Sequence, residues 1–354
     1  MTAPSLHVEP LDLAALRSRV DSVLHSFLET KTRGAADRSL PPDVPATLRD
    51  FLAAGGKRLR PLFCVLGWHA ASGHGDDAAV IRTAAALEMF HAFCLIHDDI
   101  MDNSATRRGH PTVHRSIALR CGHAQLGTSA AILIGDMALA WSDELLHTAN
   151  HPPHRLADLR RVIDLMRQEV IYGQYLDLMT PLGPLNDHQA ALKVIQFKTA
   201  KYTVERPLHC GATLADADPR LHTALSMYAL PLGEAFQLRD DILGVYGRPD
   251  TTGKPVLDDL REGKHTVLIA LAAQRADAAQ RALLDSLVGN PDLDPDGAAR
   301  IRTILDATGA RATVEDVIAT RYACALTALD ATPYPPAAAA ALRHIAAQAV
   351  ERTS

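Results

Sequence analysis

From Ala79 to Asp102 the chain contains no Gly or Pro, and its polar residues Glu88, His91, Asp98 and Asp102 recur among apolar ones at helical spacing. One helix is therefore expected to carry all four. The same period predicts helices over 11–31, 47–54, 58–71, 124–149, 155–179, 187–214, 218–246, 265–288, 297–308, 312–330 and 336–351. Pro-rich and polar breaks separate them, around 40–45, 72–77, 151–154, 290–297 and 332–336. No strand-length run of alternating β-branched residues competes with these helices. Nor does a fixed-period repeat or a linker-like tract divide the chain, so the pattern predicts one all-α domain over 1–354. Its motif-bearing core spans about 50–270, with 1–40 and 289–354 expected to be peripheral.

Composition agrees with the pattern. Of the 354 residues 47% are hydrophobic, weighted to Ala and Leu, which favour helix, and only 5% are aromatic. A net charge of -5 without a dense basic face argues against nucleic acid as a partner. Five scattered cysteines, with no C-x-x-C pair, suggest neither a disulfide framework nor a zinc site and fit a reducing cytoplasm. The start MTAPSLHVEP lacks the features of a signal peptide, and no apolar run is read as a membrane span, so a soluble protein is expected.

The candidate chemistry lies in two acidic clusters. In HDDIMD, Asp98 and Asp102 are four apart on one helix face with Asp99 beside them, so their charges repel within an apolar setting. Hard carboxylate oxygens suit Mg²⁺ completed by water and phosphate, whereas the plainer alternative is an exposed acidic helix end. A second cluster, Asp240 and Asp241 in FQLRDDILGVYG, sits in another apolar helix. Packed face to face, the two would form an anionic cage that Mg²⁺ bridging to a diphosphate would neutralise.

Basic residues accompany them. GGKRLRP places Lys57 and Arg60 three apart at a helix start, where free N–H groups also favour anions. Arg107 and Arg108 follow the first cluster, Lys198 lies in QFKTAKYT, and Lys254 and Lys264 lie in TGKPVLDDLREGKHT. His91, seven residues before Asp98, shares its helical azimuth. The group His147, His151 and His154 reads as a loop between helices. There is no Walker motif, G-x-G-x-x-G or G-x-S-x-G.

These motifs, in order from GGKRLRP at 55 through DDIMDNSATRRGHPT, AILIGD, GQYLDL, KTAKYT and FQLRDDILGVYG to TGKPVLDDLREGK, resemble the trans-isoprenyl diphosphate synthases, most closely the bacterial geranylgeranyl type. The resemblance implies a helical bundle around a deep central cavity, usually in a homodimer. It also implies head-to-tail condensation of isopentenyl diphosphate with dimethylallyl, geranyl or farnesyl diphosphate. Asp98, Asp102 and Asp240 would hold a cluster of three Mg²⁺, with Asp99 and Asp241 close by and Mn²⁺ as a substitute. Arg107, Lys198 and Lys254 would grip the allylic diphosphate, helped by Gln174, Asp177, Gln237 and Lys264. Lys57, Arg60, His91 and Arg108 match the isopentenyl diphosphate site, with Gly56 giving backbone access. Thr199, Tyr202 and Phe236 match residues near the reacting carbons.

Phe93 and Cys94, five and four before Asp98 with no insertion in the motif, resemble short-chain synthases with a C20 product, although C15 and longer products stay open. A helical wheel places Phe93 well away from the metal-facing side, so this assignment follows the family. Gly244 replaces the last aspartate of the second motif. Other readings are a class I terpene cyclase, whose N-D-x-x-S-x-x-x-E site is missing, a non-catalytic partner subunit, and a phosphohydrolase built on His97-Asp98.

Overall fold

The computed structural model describes residues 10–247 and 257–350, so Lys254 lies outside the described residues. Helices account for nearly all regular structure, as the hydrophobic period requires. In order they are α1 (Leu13–Asp37), α2 (Asp43–Ala53), α3 (Leu59–Ala70), α4 (Ala78–Met101), α5 (Val113–Cys121), α6 (Ala124–His147) and α7 (Pro153–Met179). Next come α8 (His188–Val194), a π-helical segment (Ile195–Glu205), α9 (Arg206–Leu214), α10 (Pro219–Tyr246) and α11 (Asp258–Arg261). The chain closes with α12 (Val267–Arg275), α13 (Ala278–Leu287), α14 (Pro295–Ala307), α15 (Ala310–Asp330) and α16 (Pro336–Val350).

Three expectations are corrected. The stretch 265–288 is two helices, because Asp277 caps the second in a reciprocal box with Gln280. Helix α5 was not anticipated, since VHRSIALRC is short and mixed in polarity. A two-residue antiparallel ladder also forms, Thr106–Arg107 (β1) with His110–Pro111 (β2). Its turn residues, Arg108 and Gly109, both have positive φ, the geometry of a tight primed hairpin. The histidine group brackets a loop as expected: His147 ends α6, His154 lies in the first turn of α7, and His151 sits in the loop between them, where it bonds the Thr83 hydroxyl at 2.7 Å.

Helix α4 packs against α1, α3 and α6, and its residues from Val80 to Ile96 are largely buried. It is long and apolar enough to cross a membrane, contrary to the sequence reading, but its length is spent inside the core. Two buried clusters fill the interior, and α10 serves both, with Tyr228 and Leu232 in one and Leu238 and Ile242 in the other. The π segment lies between α7 and α10. It can approach them because Gly173 and Gly233 have no side chain, where a Cβ would overlap the backbone of Lys198 and of Ala200.

Behind that segment, Glu169 of α7 accepts from Lys201 at 2.6 Å and from Arg206 at 2.6 and 2.9 Å. Arg206 also donates to Nδ1 of His209 at 3.2 Å, while Nε2 of His209 meets the His222 carbonyl at 3.0 Å. A guanidinium cannot accept, so Nδ1 must stay unprotonated. Burial, with His222 and Arg206 nearby, accordingly pushes this imidazole down to about 3. The unfolded chain then binds the extra proton, so stability is intact above about pH 6.5 and declines as pH falls from there toward 3. Denaturant titrations at pH 7.5 and 5 should show wild type losing more stability than His209→Gln. Equal losses would mean that His209 titrates normally.

Candidate active site

Both acidic clusters open into one cavity of about 1460 Å³. Asp98, near the C-terminal end of α4, meets Nζ of Lys198 at 3.1 Å and Arg107 at 3.4 Å. Lys198 reaches the site because the π segment turns it toward α7, where Asp177 binds it at 2.6 Å. Asp102, the C-cap of α4, pairs with Lys264 at 3.0 Å, and Glu262 holds the same lysine at 2.9 Å. From α10, Asp240 and Asp241 line the opposite wall. The side chain of Gln237 joins that wall to the π segment, accepting from Thr199 at 2.7 Å and donating to Asp241 at 2.8 Å.

The charges explain the crowding. Burial opposes the charge on Asp98, yet Lys198, Lys264 and Arg107 outweigh it and hold that carboxyl well below the usual range. Burial pushes the Asp241 carboxyl up to about 7 against the Gln237 hydrogen bond, with Asp259, Asp240 and Asp177 adding repulsion. Carboxylates from α4, α7, α10 and α11 thus feel one another across a shared space. Lysines bridge them, as metal ions also could.

Asp99 departs from expectation. It is buried and does not line the cavity; Arg107 donates to it at 2.6–2.9 Å, so its evident effect is to orient that guanidinium. Sequence reading also passed over Asp259 and Glu262. Asp259 fills the space beside Gly244 so closely that a Cβ there would strike its carboxylate, which places an acid near the gap in the second motif. Their signal was visible as acids in VLDDLREGK, three residues or fewer from one another and beside Lys264.

A basic alcove occupies another part of the cavity. The tight hairpin sends Arg107 to the acids and Arg108 to Gly55, whose carbonyl it bonds. Gly56 is required here, since a Cβ would lie 2.7 Å from the Arg108 guanidinium and φ is +145°. Arg60, in the first turn of α3, donates to Thr203 at 2.6 Å and stacks 4.2 Å from the Tyr202 ring. Lys57 stands 5.8 Å from the Phe236 ring. His91 faces the cavity as the spacing predicts, with Nδ1 3.3 Å from the Tyr202 hydroxyl. Burial and then Arg60 and Arg108 keep it well below the ordinary imidazole range, so it is neutral.

Phe93 and Cys94 both line the cavity, as do Gln174 and Tyr175 of α7. The wheel that turned Phe93 away missed how far the cavity wraps around α4. The Phe93 ring packs 4.7 Å from His97, whose Nε2 contacts the Ile132 carbonyl at 3.1 Å and lies 3.6 Å from Asp136, and among the described residues no group of three metal-ligating side chains gathers around it. The chain ends are not peripheral either: Arg17 of α1 and His344 and Gln348 of α16 line the same cavity.

Among the described residues no three His, Cys, Asp or Glu side chains are arranged to hold a metal ion alone. The donor set nevertheless fits Mg²⁺, because hard carboxylates converge while leaving coordination positions for water and phosphate.

Comparison with known proteins agrees with this geometry. A family model for polyprenyl synthetase matches residues 42–305. A geranylfarnesyl diphosphate synthase of Aeropyrum pernix is 34% identical over 276 residues, 77% of this chain and 82% of that protein. A (2E,6E)-farnesyl diphosphate synthase of Mycobacterium tuberculosis is 34% identical over 259 residues, 72% of this chain and 68% of that protein. A geranylgeranyl pyrophosphate synthase of Corynebacterium glutamicum, solved with isoprenyl diphosphate and magnesium, superposes with a TM-score of 0.92 at 41% identity, covering 97% of this chain and 100% of that one. Two converging acidic helices, a basic alcove in the same cavity and these likenesses place the chain in the polyprenyl synthetase family, as a trans-isoprenyl diphosphate synthase and hence a prenyltransferase.

Proposed function

We propose that the chain condenses isopentenyl diphosphate with an allylic diphosphate and makes chiefly all-trans geranylgeranyl diphosphate, C20. The observation that carries this reading is the division of one cavity into an acidic, lysine-bridged half and a basic half. Two diphosphates with different needs fit such a division. One reaches carboxylates through Mg²⁺; the other is gripped by cations directly.

In the acidic half, Asp98, Asp102 and Asp240 would hold Mg²⁺, with Asp241 beside them. Bound there, the metal supplies positive charge opposite the leaving diphosphate. Lys198, Lys264 and Arg107 exchange carboxylate partners for phosphate oxygens, Asp177 keeps Lys198 aimed, and Lys254, Gln174 and Gln237 complete the grip on that diphosphate. As the allylic C–O bond breaks, its electrons leave with diphosphate, and this fixed positive field stabilises the charge that develops. The remaining allylic cation lies near Tyr202, Thr199 and Phe236. In the basic half Lys57, Arg60 and Arg108 hold isopentenyl diphosphate, Gly56 admits it to the backbone, and neutral His91 offers a hydrogen bond without adding charge. The double bond of isopentenyl diphosphate supplies the electron pair for the new C–C bond. That leaves the positive charge on C3 of the isopentenyl unit; C2 then loses a proton to the departed diphosphate, and the C–H pair forms a new C2=C3 double bond.

Phe93 and Cys94 limit the growing chain. Phe93→Ala should lengthen the main product by at least one isoprene unit, read by chromatography of the dephosphorylated alcohols; an unchanged profile would remove Phe93 from that role. The parent assay, with Mg²⁺, labelled isopentenyl diphosphate and each of the C5, C10 and C15 primers, tests the whole reading. A C15 or C25 product would overturn the C20 assignment. No product from folded protein would favour a non-catalytic partner subunit.

The chain works in this reading as a single domain, because α10 is common to both buried clusters. Exposed Leu126, Ile132, Leu133 and Met137 on α6 and Leu119 on α5 support a homodimer. Five free cysteines support a cytoplasmic location.

A further inference from the structure

Helix α1 lies in the segment expected to be peripheral, yet Leu13, Ala14 and Arg17 line the cavity. The position of Arg17 can be fixed from its neighbours. One turn further along α1, Asp21 accepts from Arg58 at 2.8 Å, and Arg58 stands between Lys57 and Arg60. Residues four apart on a helix share a face and lie about 6 Å from each other. Arg17 is therefore held about one turn away from the contact that α1 makes with the basic loop.

Its chemistry there is unspent. The Nε of Arg17 is buried with no hydrogen-bond acceptor, and no ion pair engages its guanidinium among the described residues. The same is true of Nε of Arg60, across the alcove. The acids that could have neutralised these groups are committed elsewhere, since Asp21 and Glu88 both bind Arg58. Two arginines lining one hollow, each with a buried Nε that no acceptor meets, are costly unless an anion draws on their guanidinium groups.

We propose that Arg17 is a further binding residue for the diphosphate of isopentenyl diphosphate, supplied by α1 to the cavity that Arg108 also lines. This rests on the condensation reading above and extends its basic half by one cation. It also gives α1 a part in substrate capture, in addition to packing.

Steady-state kinetics of Arg17→Gln, Arg17→Lys and the exposed control Ser18→Ala test it, with melting curves for each. The expected result for Arg17→Gln is a KM for isopentenyl diphosphate about tenfold higher, with the KM for the allylic partner and the melting temperature near wild type. Arg17→Lys should recover part of that loss, and Ser18→Ala should behave as wild type. An unchanged KM for isopentenyl diphosphate, or an equal rise for both substrates, would overturn the proposal. So would a variant whose KM change follows a fall in melting temperature. Calorimetric titration of the same proteins with inorganic diphosphate, without Mg²⁺, separates the two levels of the argument. If wild type binds it more tightly than Arg17→Gln but condenses no prenyl substrate, the reaction assignment fails and the anion site stands; equal binding by both proteins defeats the site.

Discussion

Asp98→Asn is expected to reduce kcat at least about a thousandfold, equivalent to about 4 kcal/mol of transition-state stabilisation, while leaving the helical fold intact. The side chain stands where three cations, Lys198, Lys264 and Arg107, outweigh the penalty of burial and keep it ionised. Asparagine keeps the shape and removes the charge. The two closest cations lose a counter-ion, but Lys198 retains Asp177 at 2.6 Å and Arg107 retains Asp99, so the helices have little reason to separate. On the proposed mechanism, what is lost is a hard anionic ligand for Mg²⁺. Asp240→Asn, on the opposite wall, should behave alike. Turnover at saturating substrates, paired with circular-dichroism melts, measures both; near-normal rates in either variant would end the metal assignment. Chelation with EDTA should likewise abolish turnover of wild type, with activity returning on added Mg²⁺ and, at some level, on Mn²⁺.

Arg58→Ala should be the most destabilising change outside the catalytic groups, costing about 3–5 kcal/mol in denaturant unfolding. Arg58 is 6% exposed and bonds Glu88 of α4 at 2.8 Å, Asp21 of α1 at 2.8 Å and the Leu52 carbonyl of α2 at 2.7 Å. It stands at the N-cap of α3 with φ +50°, so a single side chain ties four helices together. Alanine leaves Glu88, itself 3% exposed, as a buried carboxylate without its cation. Adding Glu88→Gln to Arg58→Ala should recover part of the loss, because the second change removes the stranded charge. Strictly additive destabilisation would show that the pair is not coupled.

The same residue shows where sequence reading succeeds and where it stops. In GGKRLRP the two outer cations, Lys57 and Arg60, were correctly placed on the cavity, whereas the cation between them is structural. Periodicity could not predict that, since the separation depends on a left-handed residue that turns Arg58 backward into α1 and α4. Asp98, Asp240 and His91 line the cavity where helical spacing and family motif pointed the same way, whereas Lys198 followed from the motif alone, since its placement depends on the π winding. Phe93 was legible only from the family, for a wheel describes one helix and the cavity is enclosed by many. The ends of the chain were misjudged for a related reason. Arg17, His344 and Gln348 belong to helices with no motif, and only tertiary packing brings them to the hollow. The break at Ala276–Asp277 had a local signal, Asp followed three residues later by Gln, which the apolar rhythm overrode.

The π-wound stretch from Ile195 to Glu205 also constrains how this chain can vary. Its hydrogen bonds skip one residue more than those of an ordinary helix. Deleting a single amino acid inside it would allow a relapse to standard winding, rotating the flanking helices by about 100° relative to each other. Lys198 and Tyr202 could not then both face the hollow. Length changes should therefore be absent from this window among active homologues yet tolerated at 74–76, where three consecutive loop residues are exposed to solvent.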